Sequence, residues 1–128
     1  MIKFILLSSM VFFHIIDDYR LQGILASMKQ KEWWEKNYPE EIYKYDYIPA
    51  LLEHAFSWTF MIHIPVFVYS FLFGLNMPLI CMIFYFLITW FIHAIVDNTK
   101  ANQKSINLCI DQIIHICQIL MLWFVYII

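Results

Sequence analysis

The chain has 128 residues, of which 62% are hydrophobic, 20% aromatic and only 14% charged, whereas a soluble domain is about half apolar and about a quarter charged. That balance excludes an ordinary water-soluble domain and points to the bilayer. A net charge of −2, with the eight basic residues scattered along the chain, also excludes the clustered cationic footprint of a nucleic-acid binder.

With about 20 residues per span as the yardstick, four spans are expected, at residues 2–22, 48–73, 78–97 and 106–128. The fold class is then all-α, a four-helix transmembrane bundle in one integral-membrane domain covering residues 1–128. The first span opens on Lys3 and an apolar run that resembles a signal peptide, but no small-x-small cleavage site follows, so it reads as a mature span. Its apolar part stops near Ile16, and it crosses a bilayer only if the helix continues through Asp18 to Gln22. Between Gln30 and Tyr47, charges alternate with Trp33, Trp34, Tyr38, Tyr43, Tyr45 and Tyr47. Such a segment suits the headgroup layer on the inner surface as an anchor, with a lid or a docking surface for a membrane-protein partner as the alternative.

The second span contains Pro65, which is expected to kink it. The third has Asn76 as its expected N-cap and Pro78 in its first turn. Cys81, Cys109 and Cys117 form no CxxC pair and read as small core residues. Arg20, Lys29, Lys31, Lys36 and Lys44 lie between spans one and two and Lys100 and Lys104 between three and four, while Lys3 alone lies on the other side. By the positive-inside rule both of those loops are cytoplasmic, and both termini and the 74–77 turn face outward.

Three His/Asp pairs stand at i,i+4 spacing in or against these apolar runs: His14 with Asp18, His93 with Asp97, and Asp111 with His115. That spacing puts both members on one helix face, where an unpartnered charge is costly inside a membrane. The pairs fall at the cytoplasmic ends of spans one, three and four, and His54 and Glu53 at the start of span two, so all four helices present ionisable groups at one depth. The ridges extend to Gln22, Thr89 and Asn107, and they must face one another or a wet cavity. His63 lies nine residues beyond His54, about 13 Å further along the helix, and is expected to be a lone histidine satisfied by Thr59 or a backbone carbonyl. Asp17 and Glu53 neighbour the ridges but point about 100° away from Asp18 and His54.

Imidazoles and carboxylates together suit zinc, with manganese or iron next, and carboxylates around the ligands fix the histidine tautomers. The expected metal ligands are His14, Asp18, His54, His93, Asp97, Asp111 and His115, enough for one or two divalent ions. Gln22, Thr89, Asn107 and Gln112 support them, and His54 and Asp17 are the acid/base candidates. No Gly-rich phosphate loop, GxSxG elbow or HExxH occurs, and with two glycines no selectivity-filter loop is evident.

The ordered set His14, Asp18, Gln22, then His54, then His93 and Asp97, then Asp111, Gln112 and His115 resembles the small bacterial and phage membrane proteins grouped as domain of unknown function 3307. The resemblance covers nearly the whole chain except the aromatic, charged stretch after Lys31, and it implies the same topology and ridge residues. A looser similarity runs to membrane-bound metal-dependent hydrolases, and by architecture alone to the ceramidase and adiponectin-receptor-like hydrolases. It implies metal-assisted hydrolysis.

The expected function is a membrane-embedded metal-dependent hydrolase in a bacterial or phage-infected host cytoplasmic membrane, acting near the cytoplasmic face on a lipid-like or lipid-linked substrate. One alternative is a small metal-ion or proton transporter, against which the nearly pure hydrocarbon of the outward halves of spans one, three and four argues. Another is a phage-type exclusion or regulatory protein that binds a membrane partner through the Trp33 and Trp34 surface. So short a bundle is also suited to homodimerisation.

Overall fold

A computed structural model describes residues 1–75 and 77–127. Among these the chain is helical throughout, with α1 at Ile2–Ile16, α2 at Leu25–Met28, α3 at Lys31–Asn37, α4 at Tyr47–Phe73, α5 at Leu79–Ala101 and α6 at Leu108–Ile127. The long helices close a ring: α1 packs on α4 and α6, and α5 packs on the same two. Helices α4 and α6 therefore face one another across the middle. Lys3 Nζ donates to the Ile127 carbonyl at 3.1 Å and Trp123 Nε1 to the Lys3 carbonyl at 2.7 Å, so the first and last helices are tied together at one end. Gly74, Leu75 and Met77 lie at that same end, and the polar connections lie at the other.

Three helices are long and apolar enough to cross a membrane, namely α4 with the turn before it (Glu41–Phe73), α5 and α6. Helix α1, at 15 residues, falls short alone. It continues, however, into a π-helical turn at Asp17–Leu21, so the helical path runs on past Asp18 as its length requires. The wider π turn places successive residues closer together around the axis, and such bulges gather at functional sites. Here it turns both acids inward: Asp17 is 1% exposed and the Asp18 side chain 6%. Asp17, expected to neighbour the ridge and point away from Asp18, is buried against Ser57 of α4.

Gly23, in the left-handed region at φ 51°, ends this path and reverses the chain into α2, a conformation cheap only for glycine. Gly74, at φ 71°, closes α4 in the same way, its N–H donating to the Ser70 carbonyl at 3.0 Å. Helix α4 runs unbroken through Pro65. Pro78 stands just before α5, its carbonyl accepting from Cys81 and Met82 N–H, so it occupies the cap position rather than the first turn; the cap expected at Asn76 lies outside the described residues.

The interior is divided lengthwise. Towards the termini, Leu6, Met10, Trp58, Ile62, Val66, Ile119, Leu122 and Tyr126 form the apolar core. Towards the other end the buried face turns polar: in α5 the buried residues are Thr89, His93, Ala94 and Asp97 alone, while Leu79, Ile80, Phe84, Phe91 and Ile95 stand outward. A helix with polar groups inside and hydrocarbon outside is the reverse of a soluble amphipathic helix, and it is consistent with a lipid surround. Cys109 and Cys117 belong to that outward surface and Cys81 is half-buried, so the cysteines are not core residues.

The aromatic segment lies across the polar end. Lys31 N–H donates to Asn102 Oδ1 at 2.7 Å, Glu32 pairs with Lys104, and Trp34 is buried with its indole N–H on the Met28 carbonyl at 2.6 Å. Segment α2–α3 is thus clamped onto the α5–α6 connection, and that docking carries Lys29 into the bundle.

Candidate metal centre

The polar layer is assembled from one turn of each long helix. His54 of α4, His93 and Asp97 of α5, and His115 of α6 are all at most 2% exposed. Their imidazole Nε2 atoms converge on one carboxylate: His54 is 3.1 Å from Asp97 Oδ2, His115 is 3.2 Å and His93 3.7 Å from Asp97 Oδ1. The Nε2 atoms of His54 and His93 are 3.4 Å apart, and Asp18 Oδ1 stands 3.7 Å from His54 Nε2. Two groups of donors are close enough to share an ion, Asp18 with His54 and His93, and His93 with Asp97 and His115. Metal bonds of about 2.0–2.1 Å hold tetrahedral donors about 3.3–3.4 Å apart, and the separations here straddle that value. One Nε2 lone pair serves one ion. Because His93 Nε2 adjoins both groups, they are two ways of holding a single ion rather than a pair of sites.

Hydrogen bonds around the layer assign the tautomers. His115 Nδ1 donates to Gln118 Oε1 at 3.2 Å, since an amide oxygen only accepts, and its Nε2 is left facing Asp97 at 3.2 Å and Asp111 at 3.3 Å. A bare lone pair between two carboxylates is repulsive, so a cation belongs there, either a second proton or a metal ion. The carboxylates of Asp17, Asp18, Asp97 and Asp111 outnumber the ammonium groups that reach them, Lys29 at 2.5 Å from Asp97 Oδ2 and Lys100 at 2.6 Å from Asp111 Oδ2, and a protonated imidazole or a bound cation makes up the difference.

Other expected ligands are placed differently. Trp58 Nε1 donates to His14 Nδ1 at 2.7 Å, so His14 carries its proton on Nε2 and gives it to Gln112 Oε1 at 3.1 Å. Both ring nitrogens of His14 are engaged, which makes it a brace for Trp58 and Gln112. Gln112 passes the chain on, donating to Asp18 Oδ2 at 3.0 Å and Asp111 Oδ2 at 3.2 Å, and Gln22 donates to Asp18 Oδ1 at 3.1 Å. These two amides hold both oxygens of the Asp18 carboxylate. Asp111 spends Oδ2 on Lys100 and Gln112, and of the histidines its Oδ1 faces His115 at 3.3 Å. Asp17 accepts from Ser57 Oγ at 2.7 Å and joins neither donor group. Thr89 turns its hydroxyl to the Tyr85 carbonyl at 2.7 Å, the local bond a helical threonine prefers. Asn107 is exposed and caps α6 by accepting from Ile110 N–H at 2.9 Å. Neither therefore supports the ligands. His63 donates from Nδ1 to the Thr59 carbonyl at 2.7 Å, in line with its expected isolation from the layer. Glu53 is exposed.

Two residues that pattern-reading left out belong here. Trp58, fully buried, stacks on His93 with ring centroids 4.0 Å apart and planes 14° from parallel, fixing that imidazole while bonding His14. Lys29 holds the outer oxygen of Asp97. A tryptophan four residues after His54 and a lone lysine ahead of an aromatic segment are the only sequence signals for them. Comparison with protein-family models, curated proteins and solved structures finds no match.

Proposed function

We propose that this chain is a four-span membrane protein that holds one divalent cation at the cytoplasmic ends of its helices and uses it to hydrolyse a lipid-like substrate. The observation that carries the reading is the convergence of three Nε2 atoms from three helices on Asp97. The orientation rests on the basic residues: all but Lys3 lie in the connections at the layer end or in the helix turns that flank them. The helical path continuing past Ile16 supports α1 as the fourth span.

His93, Asp97 and His115 are the ligands, and zinc suits them best, with manganese or iron next. Bound there, the ion would supply Lewis acidity and lower the pKa of a neighbouring water. His54 Nε2, 3.1 Å from Asp97 Oδ2 and 3.4 Å from His93 Nε2, has Asp18 beside it at 3.7 Å, held by Gln22 and Gln112, and would serve as general acid and base. Lys29 orients Asp97 by binding the oxygen that faces away from His93 and His115. Asp17 has no such place and ties α1 to α4 through Ser57. A groove of about 300 Å³ between α1 and α4, lined by Leu6, Phe13, Pro65, Val68 and Leu72 among others, opens sideways and suits an acyl chain. On α4 its lining runs from Ile64 to Phe73, so it lies towards the chain termini and the layer itself is not part of it. This is the arrangement that the resemblance to membrane-bound hydrolases implies.

The test is hydrolysis of fluorogenic lipid esters, amides and phosphodiesters in mixed micelles by zinc-loaded protein. Product release from one class is expected, abolished by chelation and restored by zinc, and lowered by about a hundredfold or more in His54→Gln. No release from any class, or release indifferent to chelation, rules the reading out.

A further inference from the structure

Past the layer, towards the chain termini, α4 and α6 keep polar side chains on the bundle axis where apolar packing would serve as well. Thr59 Oγ1, His63 Nε2, Gln118 Nε2 and Tyr126 OH are all buried with no hydrogen-bond partner among the described residues. An unpaired buried polar atom costs about 1–3 kcal/mol. Valine for Thr59 and phenylalanine for Tyr126 would keep the shape without that cost. Four such atoms along one line need a common reason.

The four groups are spread along the bundle axis. At about 1.5 Å per residue, Gln118 lies roughly 4–5 Å beyond His115, Thr59 roughly 7–8 Å beyond His54, His63 roughly 13–14 Å beyond His54, and Tyr126 roughly 16–17 Å beyond His115. Successive groups thus differ in height by roughly 3–6 Å, and water between α4 and α6 would bridge the lateral gaps. His63 and Tyr126 meet edge to face across the axis with ring centroids 5.9 Å apart. Tyr126 in turn lines a pocket of about 250 Å³ at the terminus end, together with Lys3, Tyr69, Gly74 and Met77. At the other extreme Gln118 touches His115. The outward half of span four, with Gln118 and Tyr126, is therefore not pure hydrocarbon.

We propose that Tyr126, His63, Thr59 and Gln118 form a proton path from that outer pocket to the edge of the His/Asp layer, so that the protein conducts protons along its bundle axis. The chemistry needs only O–H and N–H exchange. Water in the pocket gives a proton to the Tyr126 oxygen as the hydroxyl hydrogen passes on to His63 Nε2. Nδ1 of His63 is committed to the Thr59 carbonyl, so the same Nε2 releases a proton to a water held by Thr59 Oγ1 and Gln118. One proton enters and one leaves, and nothing is oxidised. The cargo is a proton rather than a metal ion, because the string contains no carboxylate to replace a hydration shell and the Lys3 ammonium lines the mouth.

The test uses the full chain in phosphatidylcholine/phosphatidylglycerol vesicles with an entrapped pH dye and a potassium diffusion potential. Proton influx well above protein-free vesicles is expected, falling about tenfold in His63→Phe and severalfold in Tyr126→Phe and in Thr59→Val. The last two each delete a hydroxyl while keeping the shape, so they decide the matter even where His63→Phe does not fold. Influx equal to protein-free vesicles, or unchanged in Tyr126→Phe and Thr59→Val, overturns the path. Zinc content measured on the same vesicles separates this from the metal centre: bound zinc without flux overturns the path alone, and flux without bound zinc supports the path while overturning the metal reading.

Discussion

Replacing Asp97 by asparagine is expected to abolish metal binding and to destabilise the protein by about 3–5 kcal/mol. The carboxylate faces His54, His93 and His115 and also neutralises Lys29 at 2.5 Å. An amide of the same shape keeps the packing, yet strands the lysine ammonium in the bundle and offers a poor ligand. The two losses separate in a double-mutant cycle. Lys29→Met added to Asp97→Asn removes the stranded charge and recovers most of the stability but none of the metal, as read by unfolding in detergent and by elemental analysis. Metal retained in Asp97→Asn would remove Asp97 from the ligand set. No recovery in the double variant would mean that Lys29 is not its charge partner.

Trp58→Ala is the second large effect, expected to cost about 3–5 kcal/mol because a fully buried indole leaves a cavity that helices α1, α4 and α6 cannot close without shearing. It also removes the plate against which His93 stacks and the donor that fixes His14 Nδ1. Zinc affinity should therefore fall by about 10–100-fold through the loosened imidazole, although no ligand atom has been touched. Trp58→Phe keeps an aromatic face on His93 while losing the indole N–H, so it should retain most of the affinity and lose part of the stability. Equal zinc affinity in Trp58→Ala and the parent protein would show that His93 is oriented by something else.

How far the chain could be read beforehand follows from which links are local. The three long apolar helices were legible because hydropathy is local. The common depth of the His/Asp pairs was legible because four-residue spacing and short connections fix where helix ends fall. The partition of roles was not, because it depends on neighbours from other helices: His14 sits on the same ridge as Asp18, yet Trp58 and Gln112 occupy both its nitrogens. Thr89 and Asn107 extended the ridges by spacing alone, but one bonds its own backbone and the other caps α6. The burial of Asp17 against Ser57 depends on α4, a neighbour that its own segment does not specify. Lys29 looked like loop charge until the Gly23 reversal and the clamp of Lys31 on Asn102 brought it inward.

The central claim, one divalent ion held by His93, Asp97 and His115, is met most directly by the metal content of detergent-purified protein. One equivalent of zinc, or of the ion that replaces it, is expected per chain, lost in His93→Ala and in His115→Ala and kept in His14→Phe, whose histidine is a brace and not a ligand. A metal-free parent protein, or an ion that survives both alanine variants, would contradict the account.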